Sequence, residues 1–215
     1  MGDRNRPPIL VEVIDEPAGL ARRGSRSDFL ERAVVGGAAL VAGGLLVSGL
    51  PRLAASAPSP EQDVATLNFA LLLEGLQAQF YAEALDRAGL SGELRQFAKT
   101  VGEHERLHLE FLRKTLGDDV RPLPSYDLGN SVTSPAKFRA AAAALEEIGV
   151  AAYNGQATNM TPATLAQAAR IVSVEARHAS WARGLAGQDP APRASDPAIG
   201  EQEARAALRR RGVLS

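Results

Sequence analysis

Two short motifs carry most of the chemistry available to this chain. Glu105-Arg106-Leu107-His108 and Glu175-Ala176-Arg177-His178 both read E-x-x-H, and together they use two of the three histidines in the sequence. Positions three apart share one face of a helix, about 5–6 Å apart at Cβ, so each motif can aim a carboxylate and an imidazole at one point. One such motif is an ordinary surface pair. Here each follows a further glutamate by a similar interval: Glu74 precedes Glu105 by 31 residues, and Glu146 precedes Glu175 by 29. Tyr81 and Tyr153 stand seven residues after Glu74 and Glu146, so the two halves of the chain echo each other. The repeated quantity is a set of four carboxylates and two imidazoles.

That set has a physical use. Four carboxylates meeting in an apolar interior would each cost several kcal/mol in desolvation and would repel one another. Two divalent cations cancel four negative charges, and neutral imidazoles complete the coordination. Mixed oxygen and nitrogen ligation with open positions suits iron or manganese better than structural zinc. Composition narrows the alternatives. With no cysteine, disulfide scaffolds, thiolate metal sites, iron–sulfur clusters and a catalytic thiol are excluded. Lys plus Arg is 24 and Asp plus Glu is 25, a net charge of −1, which gives no global field to attract nucleic acid.

The elements that must position these groups are marked by their ends. Ser59-Pro60, Ser134-Pro135 and Thr161-Pro162 each place a hydroxyl at an N-cap and a proline at the first helical position, and Gly89, Gly117 and Gly187 stand where C′ glycines end helices. The expected helices run 60–88, 92–116, 135–156 and 162–186. Extended alternation of β-branched residues is absent between them, so the expected class is all-α. The seams, taken at 3-4-3-4 spacing, are apolar or small except for one mid-helix cluster each: Glu74 and Tyr81, Glu105 and His108, Glu146 and Tyr153, Glu175 and His178. Helices one and two, and helices three and four, are joined by short loops and form antiparallel hairpins. Residues 118–133 are long enough to return along a bundle, which gives two hairpins with one long crossover.

Upstream, the sequence reads as an address. Residues 33–50 hold no charge, and as a helix of 18 residues would run about 27 Å, near the thickness of a bilayer's hydrocarbon core. Arg22, Arg23, Arg26 and Arg32 precede this run, and after Arg52 no Lys or Arg occurs until Arg87, which predicts the N-terminus inside and the bundle outside the cytoplasmic membrane. The expected organisation is a leader over 1–32, a signal or membrane anchor over 33–50, a linker over 51–60, the bundle over 61–187 and a tail with a short helix over 188–215. Ala55-Ser56-Ala57 fits a cleavage site after Ala57, so removal and retention of the leader both stay open. Ser25-Arg26-Ser27-Asp28-Phe29-Leu30 resembles the core of a twin-arginine export signal, with Ser27 where the second arginine belongs.

The paired E-x-x-H motifs on a four-helix pattern resemble the ferritin-like di-metal carboxylate proteins, among them bacterioferritins, rubrerythrins and manganese catalases. More narrowly, Leu67-Asn68-Phe69-Ala70-Leu71 with Leu73-Glu74, Glu146 with Gly149-Val150 and Ala152-Tyr153, and Glu175-Ala176-Arg177-His178 resemble exported bacterial ferritin-like domain proteins. The resemblance implies Glu74 and Glu146 as terminal ligands, Glu105 and Glu175 as bridges, and His108 and His178 as terminal ligands of two iron ions, or two manganese ions. It also marks Gln77 and Gln79 as departures, where relatives often carry glutamates, and both are expected off the seam. In an antiparallel arrangement Tyr81 reaches Glu146 and Tyr153 reaches Glu74; as core aromatics they would pack, and as site residues they would orient ligands or donate electrons. Trp181 is expected to pack, and His104, beside Glu103, to be solvated. The expected function is a di-iron or dimanganese oxidoreductase acting on Fe(II) with O2 or peroxide, in ferroxidase, peroxidase or manganese-catalase-like form. The alternative is a stress-associated structural or interaction protein of the same fold without catalytic metal. Expected partners are metal ions, O2 or H2O2, the membrane through 33–50 if uncleaved, and a second copy in a homodimer; nucleic acid is not among them.

Overall fold

The computed structural model describes residues 57–214, so the leader over 1–32, the apolar run over 33–50 and most of the linker lie outside the described residues. Five α-helices follow: α1 (Pro60–Arg87), α2 (Gly92–Leu116), α3 (Pro135–Gln156), α4 (Pro162–Leu185) and α5 (Glu201–Arg210), with 3-10 turns at Gly117–Asp119 and Ala157–Asn159. No strand occurs among the described residues, and none of their helices is long and apolar enough to cross a membrane.

The ends fall where the local chemistry puts them. Ser59 and Ser134 accept from the backbone N–H groups of Gln62 and Lys137, each with a proline behind it in the first turn. Thr161 holds the third N-cap position, but its side chain does not cap α4. The hydroxyls of Thr161 and Thr164 both donate to Asp63 Oδ2 at 2.6 Å, and the Thr161 N–H donates to Asp63 Oδ1 at 2.9 Å. This carboxylate outbids the helix for the hydroxyl, and in doing so it pins the start of α4 to the start of α1. Gly117, which ends α2, has φ +56°, a conformation that a side chain would strain.

The crossover runs along α1. Asn68 bridges the Asp119 carbonyl and the Arg121 N–H, Tyr126 donates to the Leu72 carbonyl, and Phe138 at the start of α3 stacks on Phe80 at 5.3 Å. Contacts therefore advance from residue 68 to residue 80 of α1 as the chain advances from 119 to 138, and α3 turns back antiparallel. With that cover, α1 is buried on nearly all sides from Thr66 to Gln77. Two apolar clusters result, one built on Phe80, Phe97 and Phe138 and the other on Leu71, Leu112 and Ile171. Each fully buried Phe or Leu contributes about 1.5–3 kcal/mol.

The C-terminal segment belongs to the core. Ala204 and Leu208 of α5 are fully buried, and the Arg205 guanidinium lies 5.4 Å from the Phe69 ring centroid. The segment before α5 is held to α3 by the Ile199 N–H, which donates to the Ala151 carbonyl at 2.9 Å, and by Asn154, which donates to the Pro197 carbonyl. Gly155 makes this approach possible, since a Cβ there would fall on the Ile199 carbonyl. Gly155→Ala should cost about 1–3 kcal/mol through backbone displacement. Thermal unfolding would measure the loss, and faster proteolysis within 188–200 would locate it.

Candidate metal centre

The helical register places the six predicted residues at one level of the bundle. Glu74, Glu105, Glu146 and Glu175 are completely buried, His178 is 4% exposed, and His108 is partly buried. Two overlapping sets form: Glu74, Glu105, His108 and Glu175, and Glu105, Glu146, Glu175 and His178, each offering one ligand atom per residue within 4.8 Å of the others. Glu105 and Glu175 belong to both. His108 Nδ1 lies 3.3 Å from Glu74 Oε2, 3.3 Å from Glu105 Oε2 and 3.2 Å from Glu175 Oε1. His178 Nδ1 lies 3.0 Å from Glu105 Oε1, 3.5 Å from Glu146 Oε2 and 3.6 Å from Glu175 Oε1.

Hydrogen bonding accounts for part of this convergence, since His108 Nδ1 pairs with Glu74 Oε2 and Glu105 Oε2, but not for all of it. Among the described residues, the buried side-chain atoms without a hydrogen-bond partner are Glu105 Oε1, Glu146 Oε2, Glu175 Oε1 and His178 Nδ1. All four belong to the cluster. They lie near one another, with His178 Nδ1 3.0 Å from Glu105 Oε1 and 3.5 Å from Glu146 Oε2, yet none is paired in a hydrogen bond. Buried polar atoms are nearly always satisfied, and a group of four left over together calls for an ion. The donor set, four carboxylates and two imidazoles, is one that could hold metal.

Electrostatics without a cation says the same. Burial, together with the charge of Glu105, pushes the Glu74 carboxyl up to about 8. Glu146 is likewise raised, chiefly by burial. Burial works to lower both histidines, but the carboxylates around them outweigh it. Glu105, Glu175 and Glu74 push His108 up to about 12, and Glu105, Glu146 and Glu175 push His178 up to about 11. Protons thus fill the place of positive charge, and a metal ion binding there must displace them.

The tyrosines tie the two hairpins together. The Tyr81 hydroxyl donates to Glu146 Oε1 at 2.5 Å and the Tyr153 hydroxyl to Glu74 Oε1 at 2.6 Å, each reaching the glutamate of the other hairpin. Burial and the adjacent carboxylates hold both phenols well above their ordinary range, so both remain donors. Tyr81→Phe should cost about 1–3 kcal/mol, because it takes a donor from a buried carboxylate. Urea unfolding of the metal-free protein reads this directly, and an unchanged midpoint would show the bond to be worth nothing.

Two residues take places the sequence reading did not assign. Gln77, expected off the seam, is buried, and its amide donates to Glu146 Oε1 at 3.2 Å and to Glu175 Oε2 at 3.5 Å. Gly149, three residues after Glu146, leaves room for it, since a Cβ there would stand 3.5 Å from the Gln77 amide and 3.3 Å from Glu175 Oε2. His104, expected to be solvated, is partly buried with Nδ1 2.8 Å from His178 Nε2, the two rings edge to edge with centroids 5.1 Å apart and planes at 20°. Its spacing of four from His108 was the available signal. Gln79 stays on the outer side and donates to Glu83. Trp181 packs edge-on against Phe97 and donates to Glu93. Arg106 forms surface ion pairs with Glu103 and Glu110, and Arg177 donates to the Ser173 carbonyl.

The fold and the site define a class: an all-helical bundle with a buried carboxylate and histidine cluster able to hold metal. The chain belongs to the ferritin-like domain family, whose sequence model matches residues 62–188, more than half of its length. No curated protein matches it in sequence.

Proposed function

We propose that the protein is a di-iron oxidoreductase, with dimanganese as the alternative, acting on Fe(II) with O2 or peroxide on the outer side of the cytoplasmic membrane. The observation that carries the reading is the pair of four-residue sets sharing Glu105 and Glu175, with four buried atoms that no hydrogen bond satisfies. Bound iron would supply the electrons for reducing the oxidant. The chain supplies the rest. Glu74 and Glu146 would each serve one position, held by the hydroxyls of Tyr153 and Tyr81; His108 and His178 would complete each set, and the shared glutamates would keep the positions together.

Access favours the His108 side. A cavity of about 260 Å³ is lined by His108, Phe111, Gln167, Arg170 and Ile171, so this imidazole borders a solvent-facing trough between α2 and α4. Export rests on the arginines before residues 33–50, and a homodimer is part of the same proposal. The test is to load the full chain with Fe(II) without oxygen, then add O2 or H2O2 and follow Fe(III) formation. Oxidation faster than in buffer, lost in Glu105→Gln, supports the reading; equal rates with and without protein overturn it. Export is tested separately, by the side of the membrane from which added protease reaches the bundle.

A further inference from the structure

The two halves of the centre are related by the repeat, but their surroundings differ. The His178 half has two polar neighbours that the other half lacks. Gln77 donates to Glu146 and Glu175, whereas its repeat counterpart is Gly149; His104 meets His178 Nε2, whereas its counterpart, one residue before Glu175, is Val174. Exposure differs too. The His178 side chain is 4% exposed and that of His108 is 13%, and it is His108 that borders the trough.

From this asymmetry, and on the reading that the cluster binds two cations, we infer that the two positions are inequivalent and that His104 makes the His178 position the tighter one. The mechanism is orientation. For His178 to offer a lone pair to a cation at Nδ1, the atom that faces Glu105, Glu146 and Glu175, its proton must sit on Nε2. That N–H then donates to His104 Nδ1 at 2.8 Å, and the two rings, edge to edge with planes only 20° apart, hold the imidazole through this in-plane hydrogen bond. A metal-binding histidine ordinarily uses its second nitrogen in this way, with a carboxylate, a carbonyl or a water as acceptor. Here the acceptor is another imidazole, itself partly buried. Gln77 donates to Glu146, which serves this position alone, as well as to the shared Glu175. His108 has no imidazole partner of this kind and borders the trough, so a cation beside it exchanges more readily. His104 is therefore a positioning residue, acting through His178.

The test is titration of the metal-free full chain with Co(II), followed by equilibrium dialysis and by the visible d–d absorption that reports coordination. The wild type should bind about two Co(II) in two phases, and His108→Ala should remove the weaker phase. His104→Ala should weaken the tighter phase by about 10–100-fold and shift its absorption, with the weaker phase unchanged within about twofold. His104→Asn, which keeps a side-chain acceptor, should recover most of the loss. Circular dichroism of each variant checks the helices, and the unaffected weaker phase is an internal control for folding. Two equal phases in the wild type, or His104→Ala leaving both phases alone or weakening both equally, would overturn the inference while leaving the metal reading intact. A wild-type chain that binds no Co(II), Fe(II) or Mn(II) would overturn both.

Discussion

Glu105→Gln should abolish binding at both cation positions at once. Glu105 lies in both ligand sets, with Oε1 3.0 Å from His178 Nδ1 and Oε2 3.3 Å from His108 Nδ1. Glutamine keeps the volume, so no cavity opens, but it removes a carboxylate that both ligand sets share. Elemental analysis of the native protein should find about two Fe or Mn per chain, as expected for a paired-carboxylate bundle, and close to none in the variant. His108→Ala, by contrast, should lose only one. The loss of both cations in one variant and of only one in the other separates a site built for cations from a merely structural polar core. Equal metal content in wild type and Glu105→Gln would end the assignment.

Removing the metal should lower the melting temperature by about 10–20 °C. A ligand that binds only the folded state at 100 times its dissociation constant stabilises by about 2.7 kcal/mol per site. For a domain of 150–250 residues each kcal/mol moves the midpoint by about 2–4 °C. The effect should also depend on pH in a stated direction. Glu74 titrates near 8 in the fold against 4.5 in the open chain, so its contribution is complete below pH 4.5 and is lost as pH rises through about 8. His108 and His178, raised from 6.5 to about 12 and 11, act in the same direction from pH 6.5 upward. The chelated protein should therefore weaken as pH rises from about 5 to 8. Over that range the metal-loaded protein should gain on it, since the cation competes with protons that become scarcer. Calorimetry at several pH values, with and without chelator, measures the gap. A gap that is constant or narrows toward pH 8 would contradict the account.

The helices were legible because their ends are written in side chains. Serine or threonine followed by proline marked the starts at 60, 135 and 162, and glycine marked far ends; the structure has the four expected starts, with two of the far ends one residue shorter than expected. The six ionisable residues stood out because the seams around them are apolar. What the pattern hid has physical causes. A seam drawn through Ala78 treats its neighbour Gln77 as outward, but the crossover and α5 leave α1 little outward face over 66–77. His104 lies on the α2 flank, and only the packing of α4 turns that flank toward His178. Thr161 carries the right residue for a cap, and nothing local announces that Asp63, 98 residues earlier, takes its hydroxyl.

The exchange of tyrosine hydroxyls between hairpins has a consequence for assembly. Glu74 in the first hairpin is satisfied by Tyr153 of the second, and Glu146 in the second by Tyr81 of the first. A hairpin synthesised alone would have to submerge two glutamates and a histidine beside a wall of exposed leucine or phenylalanine, without the tyrosine hydroxyl that Glu74 or Glu146 takes from the other hairpin. Neither fragment is thus expected to fold in its own right. If the chain were cut within residues 118–133, the pieces should find each other and reconstitute the centre by complementation, much as two halves of a clasp close only together.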